Sequence, residues 1–212
     1  MKEITIKDIL LRKITVGPFE NNVYVLLGPD TNESVIIDAA ADADRILENV
    51  RGTGVRLILQ THCHMDHIMA LEEVRATTKA PVGIHPADEE AFGVHADIHL
   101  EDNQILDIGR NQIRVIHTPG HTPGGVCFLI ENHLISGDTL FTGGPGKTAS
   151  PKDFQQILQG ITQKIYPLPD DTVCYPGHGP NTTVGESKRE YQVFAGKKRT
   201  KPVYGDVEWL RS

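Results

Sequence analysis

The sequence predicts an α/β fold, a sandwich of two β-sheets with helices on the outside. Two observations predict it. Short apolar, β-branched runs fall into two groups along the chain, and each group is followed by segments with helical spacing. Several of the runs are also continuous rather than alternating, the pattern of strands buried on both faces. Two such strand sets need two buried faces, and helices outside both sheets supply the remaining cover.

The elements follow in order. Residues 22–27 (Asn-Val-Tyr-Val-Leu-Leu) and 34–38 (Ser-Val-Ile-Ile-Asp) are strand runs separated by Gly-Pro-Asp-Thr-Asn, a turn signal. In 42–50, Ala43, Ile46, Leu47 and Val50 share one helical face. Residues 55–60 form a buried strand that runs straight into Thr61-His62-Cys63-His64-Met65-Asp66-His67, and one helix is expected from about 66 to 77. A short strand at 81–85 and a helical turn at 86–92 come next, then a polar, histidine-rich stretch at 93–101 with no clear period. Residues 103–108 and 112–117 pair around Gly109-Arg110-Asn111, and 126–130 and 134–136 around Glu131-Asn132-His133. At Ser150-Pro151-Lys152-Asp153, an N-cap serine, a proline at the first position and a first-turn acid start a helix expected to reach about 165. A last strand at 172–175 and a helix at 185–194 complete the set. Lys197, Lys198, Arg199 and Lys201 then read as a short, solvated basic tail from about 195. With no repeat, linker or low-complexity stretch, residues 1–212 are expected to form one domain.

Composition bounds the function. Of 212 residues, 39% are hydrophobic and 23% charged, ordinary globular usage that excludes a disordered, collagen-like or coiled-coil chain. No apolar run approaches the ~20 residues of a membrane span, and Met1-Lys2-Glu3-Ile4-Thr5 lacks the apolar stretch of an export signal. A soluble, cytoplasmic protein without a membrane partner is expected. A net charge of −7, from 21 basic and 28 acidic residues, argues against a nucleic-acid surface. Cys63, Cys127 and Cys174 are too few for a disulfide scaffold and read as free thiols. Cys63 should point away from the flanking histidines, and the other two should be small core residues. The informative residue is histidine, of which there are ten.

His62-x-His64-x-Asp66-His67 places four metal-ligand side chains within six residues, at the end of a buried strand. Alternate residues leaving a strand point the same way, so His62 and His64 can meet at one metal while Asp66 and His67 turn toward a second point. Imidazole and carboxylate ligands suit zinc, iron or manganese, and no nearby cysteine pair suggests a structural zinc site. Three further loops each follow a strand and set one ligand among glycines and prolines: Thr118-Pro119-Gly120-His121-Thr122, Ser136-Gly137-Asp138-Thr139 and Pro176-Gly177-His178-Gly179-Pro180. Five histidines and two aspartates exceed the needs of one tetrahedral ion. They suffice for two ions sharing a carboxylate, roughly 3.5–4 Å apart, the arrangement that prepares hydroxide near neutral pH. His85, His95, His99, His117 and His133 lack such surroundings and are expected to be packing or surface residues.

These four motifs, in this order, resemble the metallo-β-lactamase superfamily, and most closely its glyoxalase II (hydroxyacylglutathione hydrolase) branch, over about residues 22–183. The resemblance implies a four-layer αββα sandwich with the site at one edge between the sheets. It implies that His62, His64 and His121 bind a first metal, that Asp66, His67 and His178 bind a second, and that Asp138 bridges them, with Asp66 and Asp138 counted as the catalytic carboxylates. The implied cofactors are two divalent ions, zinc first, with iron or manganese as alternatives. The implied reaction is attack of a bridging hydroxide on a thioester carbonyl. Lys147, in Gly144-Pro145-Gly146-Lys147, stands where the branch has a cation for a glutathione carboxylate. Only 34 residues follow His178, so most of the helical C-terminal domain of the longer enzymes has no counterpart in this sequence. The resemblance implies a small thioester substrate, S-2-hydroxyacylglutathione or a relative, and the chain is expected to be a monomer or homodimer. The alternative is a persulfide dioxygenase with one iron on His62, His121 and Asp138. Lactonase, phosphodiesterase, β-lactamase and non-enzymatic binding readings are weaker.

Overall fold

The computed structural model describes residues 2–212. Its first sheet takes β1 (Lys2–Ile6), β2 (Ile9–Val16), β3 (Asn21–Gly28), β4 (Glu33–Ile37), β5 (Gly54–Leu59), β6 (Val82–Ile84) and β7 (Ile98–His99) in simple sequence order. The first four strands run antiparallel and the last four pair in parallel through crossovers. Those crossovers carry α1 (Ala43–Asn49), α2 (Met65–Ile68), α3 (Leu71–Thr78) and α4 (Pro86–Phe92). The second sheet is built on β8 (Ile105–Ile108), β9 (Asn111–His117), β10 (Val126–Ile130) and β11 (His133–Gly137). After a small ribbon of β12 (Leu140–Phe141) and β13 (Gly144–Pro145), α5 (Pro151–Gly160) leads to β14 (Val173–Pro176), β15 (Thr182–Thr183) and α6 (Val184–Gly196). The order across this sheet is β15-β14-β11-β10-β9-β8, with β14 parallel to β11.

Three separate apolar layers show why the sheets stack between helices. Val23, Val25 and Leu27 of β3 face outward against Ile46 of α1 and Leu71 and Val74 of α3. Tyr24 and Leu26, the alternate residues, face inward against Phe128, Ile130 and Ile135 of the second sheet. Cys127 of β10 faces the other way, against Phe154, Ile157 and Phe194 of α5 and α6. A strand with apolar residues on both faces can only be stable with cover on both, and the four-layer αββα sandwich provides it. Full burial of each such side chain contributes about 1.5–3 kcal/mol. The expected fold class is the observed one.

The structure adds the short strands β7, β12, β13 and β15 and differs from the expectation in four further places. Strands β1 and β2 were not anticipated, because Arg12 and Lys13 interrupt the apolar pattern of β2. Their neighbours still sort by face, with Ile9 and Leu11 inward and Ile14 and Val16 outward. The expected helix over 66–77 is split into α2 and α3, because the Ala70 amide donates to the carbonyls of Ala39 and Ala40 instead of continuing its own helix. Beyond α5, residues Ile161–Ile165 widen into a π-helical turn. The chain beyond Gly196 is not a solvated tail. Trp209 is fully buried against α6, and Lys197 Nζ donates to the carbonyls of Leu210 and Ser212. Arg199 stacks over the Phe194 ring at 3.5 Å. Among the described residues, no helix is long and apolar enough to cross a membrane.

Candidate metal centre

The seven expected ligands come from loops at one edge of the sandwich and from the short α2, which holds Asp66 and His67. His62, His64, Asp66 and His67 follow β5, His121 lies between β9 and β10, Asp138 follows β11, and His178 follows β14. The structure brings them together. Candidate ligand atoms of His62, His64 and His121 lie within 4.8 Å of one another, as do those of Asp66, His67 and His178, and those of His62, His67 and Asp138. Asp138 sits between the two triads. Its Oδ1 is 3.5 Å from His67 Nε2, while its Oδ2 is 3.5 Å from His121 Nε2 and 3.8 Å from His178 Nε2.

Hydrogen bonding on the outer side of the rings sets which nitrogen faces inward. His67 Nδ1 donates to Asp38 Oδ2 at 3.0 Å, His121 Nδ1 to the Lys147 carbonyl at 2.8 Å, and His178 Nδ1 to the Phe19 carbonyl at 2.9 Å. Thr61 Oγ1 donates to Asp38 and so accepts from His62 Nδ1 at 3.1 Å. Each of these four imidazoles therefore turns its Nε2 toward the centre. His62 Nε2, His121 Nε2 and Asp138 Oδ1 are buried with no hydrogen-bond partner. His67 Nε2 and His178 Nε2 face each other at 3.3 Å. Leaving His62 Nε2, His121 Nε2 and Asp138 Oδ1 buried and unpartnered is costly unless a cation lies among them. The donor set thus fits metal ions of the kind held by nitrogen and oxygen.

Charge differs across the cluster. Burial pushes the His62 imidazole well below its usual pKa, and the neighbouring His67 and His121 push the same way. Burial and then His121 lower His64 too. Both are thus held neutral, the form a metal needs. Burial also works against protonating His67, but the hydrogen bond and charge of Asp38, joined by Asp138 and Asp66, outweigh it and raise that group to about 9. Asp66 is held below the usual carboxylate range. Its partial burial opposes this, and the Asn21 hydrogen bond and the His67 and His178 rings overcome it.

Sequence reasoning missed three polar residues that build the site. Asp38, 1% exposed, accepts from the Thr61 amide and hydroxyl as well as from His67. Asn21 donates to Asp66 Oδ2 at 3.0 Å and meets His178 Nε2 at 3.3 Å. Asp88 on α4 accepts from three donors beside the ligands. Asp38 had a signal, an acid ending a β-branched run; Asp88 had none beyond a first-turn acid. Gly177 shows why small residues surround these ligands: a Cβ there would lie 2.6 Å from His67 Cε1 and collide with Asp138.

Lys147 is placed beside the centre, yet its side chain is 69% exposed and lies 3.9 Å from Asp206. It lines a cleft of about 350 Å³ with His121, Asp138, Phe141 and the tail residues Asp206 and Val207. The tail is fixed there by the Trp209 amide on the Gly143 carbonyl and by mutual bonds between Thr148 and Gly205. The five other histidines stay out of the cluster. His85 stacks on His117 at 3.9 Å, His95 and His99 pair with Glu89, and His133 bonds the Tyr175 hydroxyl. All three cysteines are free and buried, Cys63 on the helix side of the first sheet.

The model of the Metallo-beta-lactamase superfamily matches residues 16–178, and the chain belongs to this superfamily. The chain is 30% identical over 207 residues to the hydroxyacylglutathione hydrolase GloC of Haemophilus influenzae, covering 87% of this chain and 97% of that one. It is 33% identical over 180 residues to the human mitochondrial persulfide dioxygenase ETHE1, covering 80% of this chain and 68% of that one. The crystal structure of ETHE1 from Myxococcus xanthus superposes with a TM-score of 0.78 at 27% identity, covering 89% and 85%. TTHA1623, crystallised in a di-iron-bound form, gives 0.70 at 29%, covering 84% and 97%.

Proposed function

We propose that the protein is a two-metal thioester hydrolase acting on S-2-hydroxyacylglutathione or a related acyl thioester. The position of Asp138 carries this reading: its carboxylate reaches both ligand triads, Oδ2 lying 3.5 Å from His121 Nε2 and 3.8 Å from His178 Nε2 while Oδ1 lies 3.5 Å from His67 Nε2. His62, His64 and His121 would hold a first ion and Asp66, His67 and His178 a second, with Asp138 shared and zinc as the ion. When bound, such ions lower the pKa of a coordinated water from about 15.7 toward ~7 and polarise a carbonyl oxygen.

The chain's own residues do the rest. Asp38 fixes the tautomer and orientation of His67 directly, and of His62 through Thr61. Lys147 and the tail form a wall beside the centre, where the Lys147 ammonium would meet a substrate carboxylate. No protein acid is needed for the leaving group, because a thiol of pKa about 8.5 departs readily as thiolate. The similarity to GloC, over nearly the full length of both chains, supports the same reaction class.

The test is loss of S-lactoylglutathione absorbance with protein of known metal content. Turnover that stops on chelation and returns with zinc is expected. The similarity to the human persulfide dioxygenase favours a second reading, a single iron on His62, His121 and Asp138. Oxygen uptake with glutathione persulfide by the iron-loaded protein, without thioester turnover, would replace the first reading by the second.

A further inference from the structure

We propose that Asp88 is a positioning residue that sets the spacing of the His62, His64, His121 triad by clamping the two loops that carry it. This rests on the two-triad reading of the site. The first triad is assembled from different sheets: His62 and His64 leave β5 of the first, and His121 lies between β9 and β10 of the second. Thr61 and Val126 join the loops on one side, through the Val126 amide and the Thr61 carbonyl. Asp88 joins them on the other. Its Oδ2 accepts from the amide of Cys63, between His62 and His64, at 3.0 Å, and from the hydroxyl of Thr122, next to His121, at 3.0 Å. Its Oδ1 accepts from the Gly124 amide at 2.5 Å.

The residue is fully buried, so these donors replace the water it gave up. Moving either loop would strip a buried carboxylate of a partner, which makes the clamp stiff. Gly124 is part of the device. A Cβ there would lie 2.6 Å from the Asp88 amide nitrogen, so only a glycine lets the helix seat this close. The far end of the same helix sets the Phe92 ring edge-on to His64 at 5.4 Å. None of these contacts reaches Asp66, His67 or His178. The second triad is served instead by Asp38 and Asn21.

The experiment is a cobalt or zinc titration of the metal-free protein, followed by calorimetry and by the cobalt absorption bands. His64→Ala and His178→Ala assign the two binding steps to the triads. Asp88→Asn places an NH₂ group against donors. It should weaken the first-triad step by about 10–100-fold, alter its cobalt bands, and leave the second step within about threefold. Thr122→Val removes one donor without touching the helix, and should weaken the same step by a smaller factor; it carries the test if Asp88→Asn does not fold. Equal weakening of both steps, or of neither, would overturn the clamp while leaving the two-triad reading intact. A single binding step in the unaltered protein would overturn both.

Discussion

The two halves of the metal centre use similar side chains but are supported differently. The first triad is three imidazoles, two of them held neutral by burial and by neighbouring histidines. It is drawn from two sheets, and hydrogen bonds to backbone set it: the Lys147 carbonyl on His121, and the Cys63 and Gly124 amides on Asp88. The second triad includes a carboxylate and has a buried aspartate against its histidine. Asp66, held below the usual carboxylate range, gives this half a carboxylate of its own that the first triad lacks. One half is thus set by contacts to loop backbone, while the other adds carboxylates to its histidines. Asp138 is where the two halves meet.

Changes at that meeting point should have the largest effect. Asp138→Asn should release both ions and abolish hydrolysis, measured as metal content after dialysis and as thioester turnover. Near-normal turnover with two ions retained would show that the halves do not share this carboxylate. Asp38→Ala should separate them. It leaves His67 buried without its partner, which should cost about 3–5 kcal/mol in denaturant unfolding of the metal-free protein. It should also weaken the second binding step by about 10–100-fold, more than the first, which Asp38 reaches only through Thr61. A larger loss in the first step would contradict the division.

Smaller effects are expected on the first-triad side, where side chains act at a distance. Lys147→Ala keeps the carbonyl that holds His121 and removes only an exposed charge. It should raise KM several-fold for an anionic thioester, in line with about 1 kcal/mol for an exposed ion pair, and leave a neutral thioester unaffected. Equal changes for both would remove the anchoring role. The smallest effect concerns the start of α4. Burial, with the stacked His117, lowers His85 to about 4, against an ordinary histidine value of about 6.5. The folded state therefore favours neutral His85. Its contribution to stability is complete above pH ~6.5 and is lost as pH falls toward about 4. Melting temperatures of His85→Gln and the unaltered protein should diverge across that window; parallel curves would show that His85 does not titrate there.

Much of this was legible in the sequence, and the gaps have physical reasons. The seven residues that cluster at the site could be picked out because His62-x-His64-x-Asp66-His67 is dense and because glycines and prolines mark the three other loops. Strands such as β3 and β10 were readable from continuous apolar runs. Asp88 was not, since a first-turn acid in a helix is ordinary and only the fold places it under two distant loops. The split between α2 and α3 was hidden for the same reason: the Ala70 amide is diverted by carbonyls thirty residues earlier in the chain. The tail misled because its lysines suggest solvent, while the one tryptophan that buries it stands eight residues beyond the last of them.

Two ions held by unlike halves around Asp138 should act together. The most direct measurement adds zinc in steps to the metal-free protein and follows bound metal and S-lactoylglutathione hydrolysis in the same samples. The account predicts low turnover through the first equivalent and full turnover only at the second. Full turnover at one equivalent, with the second ion silent, would contradict it.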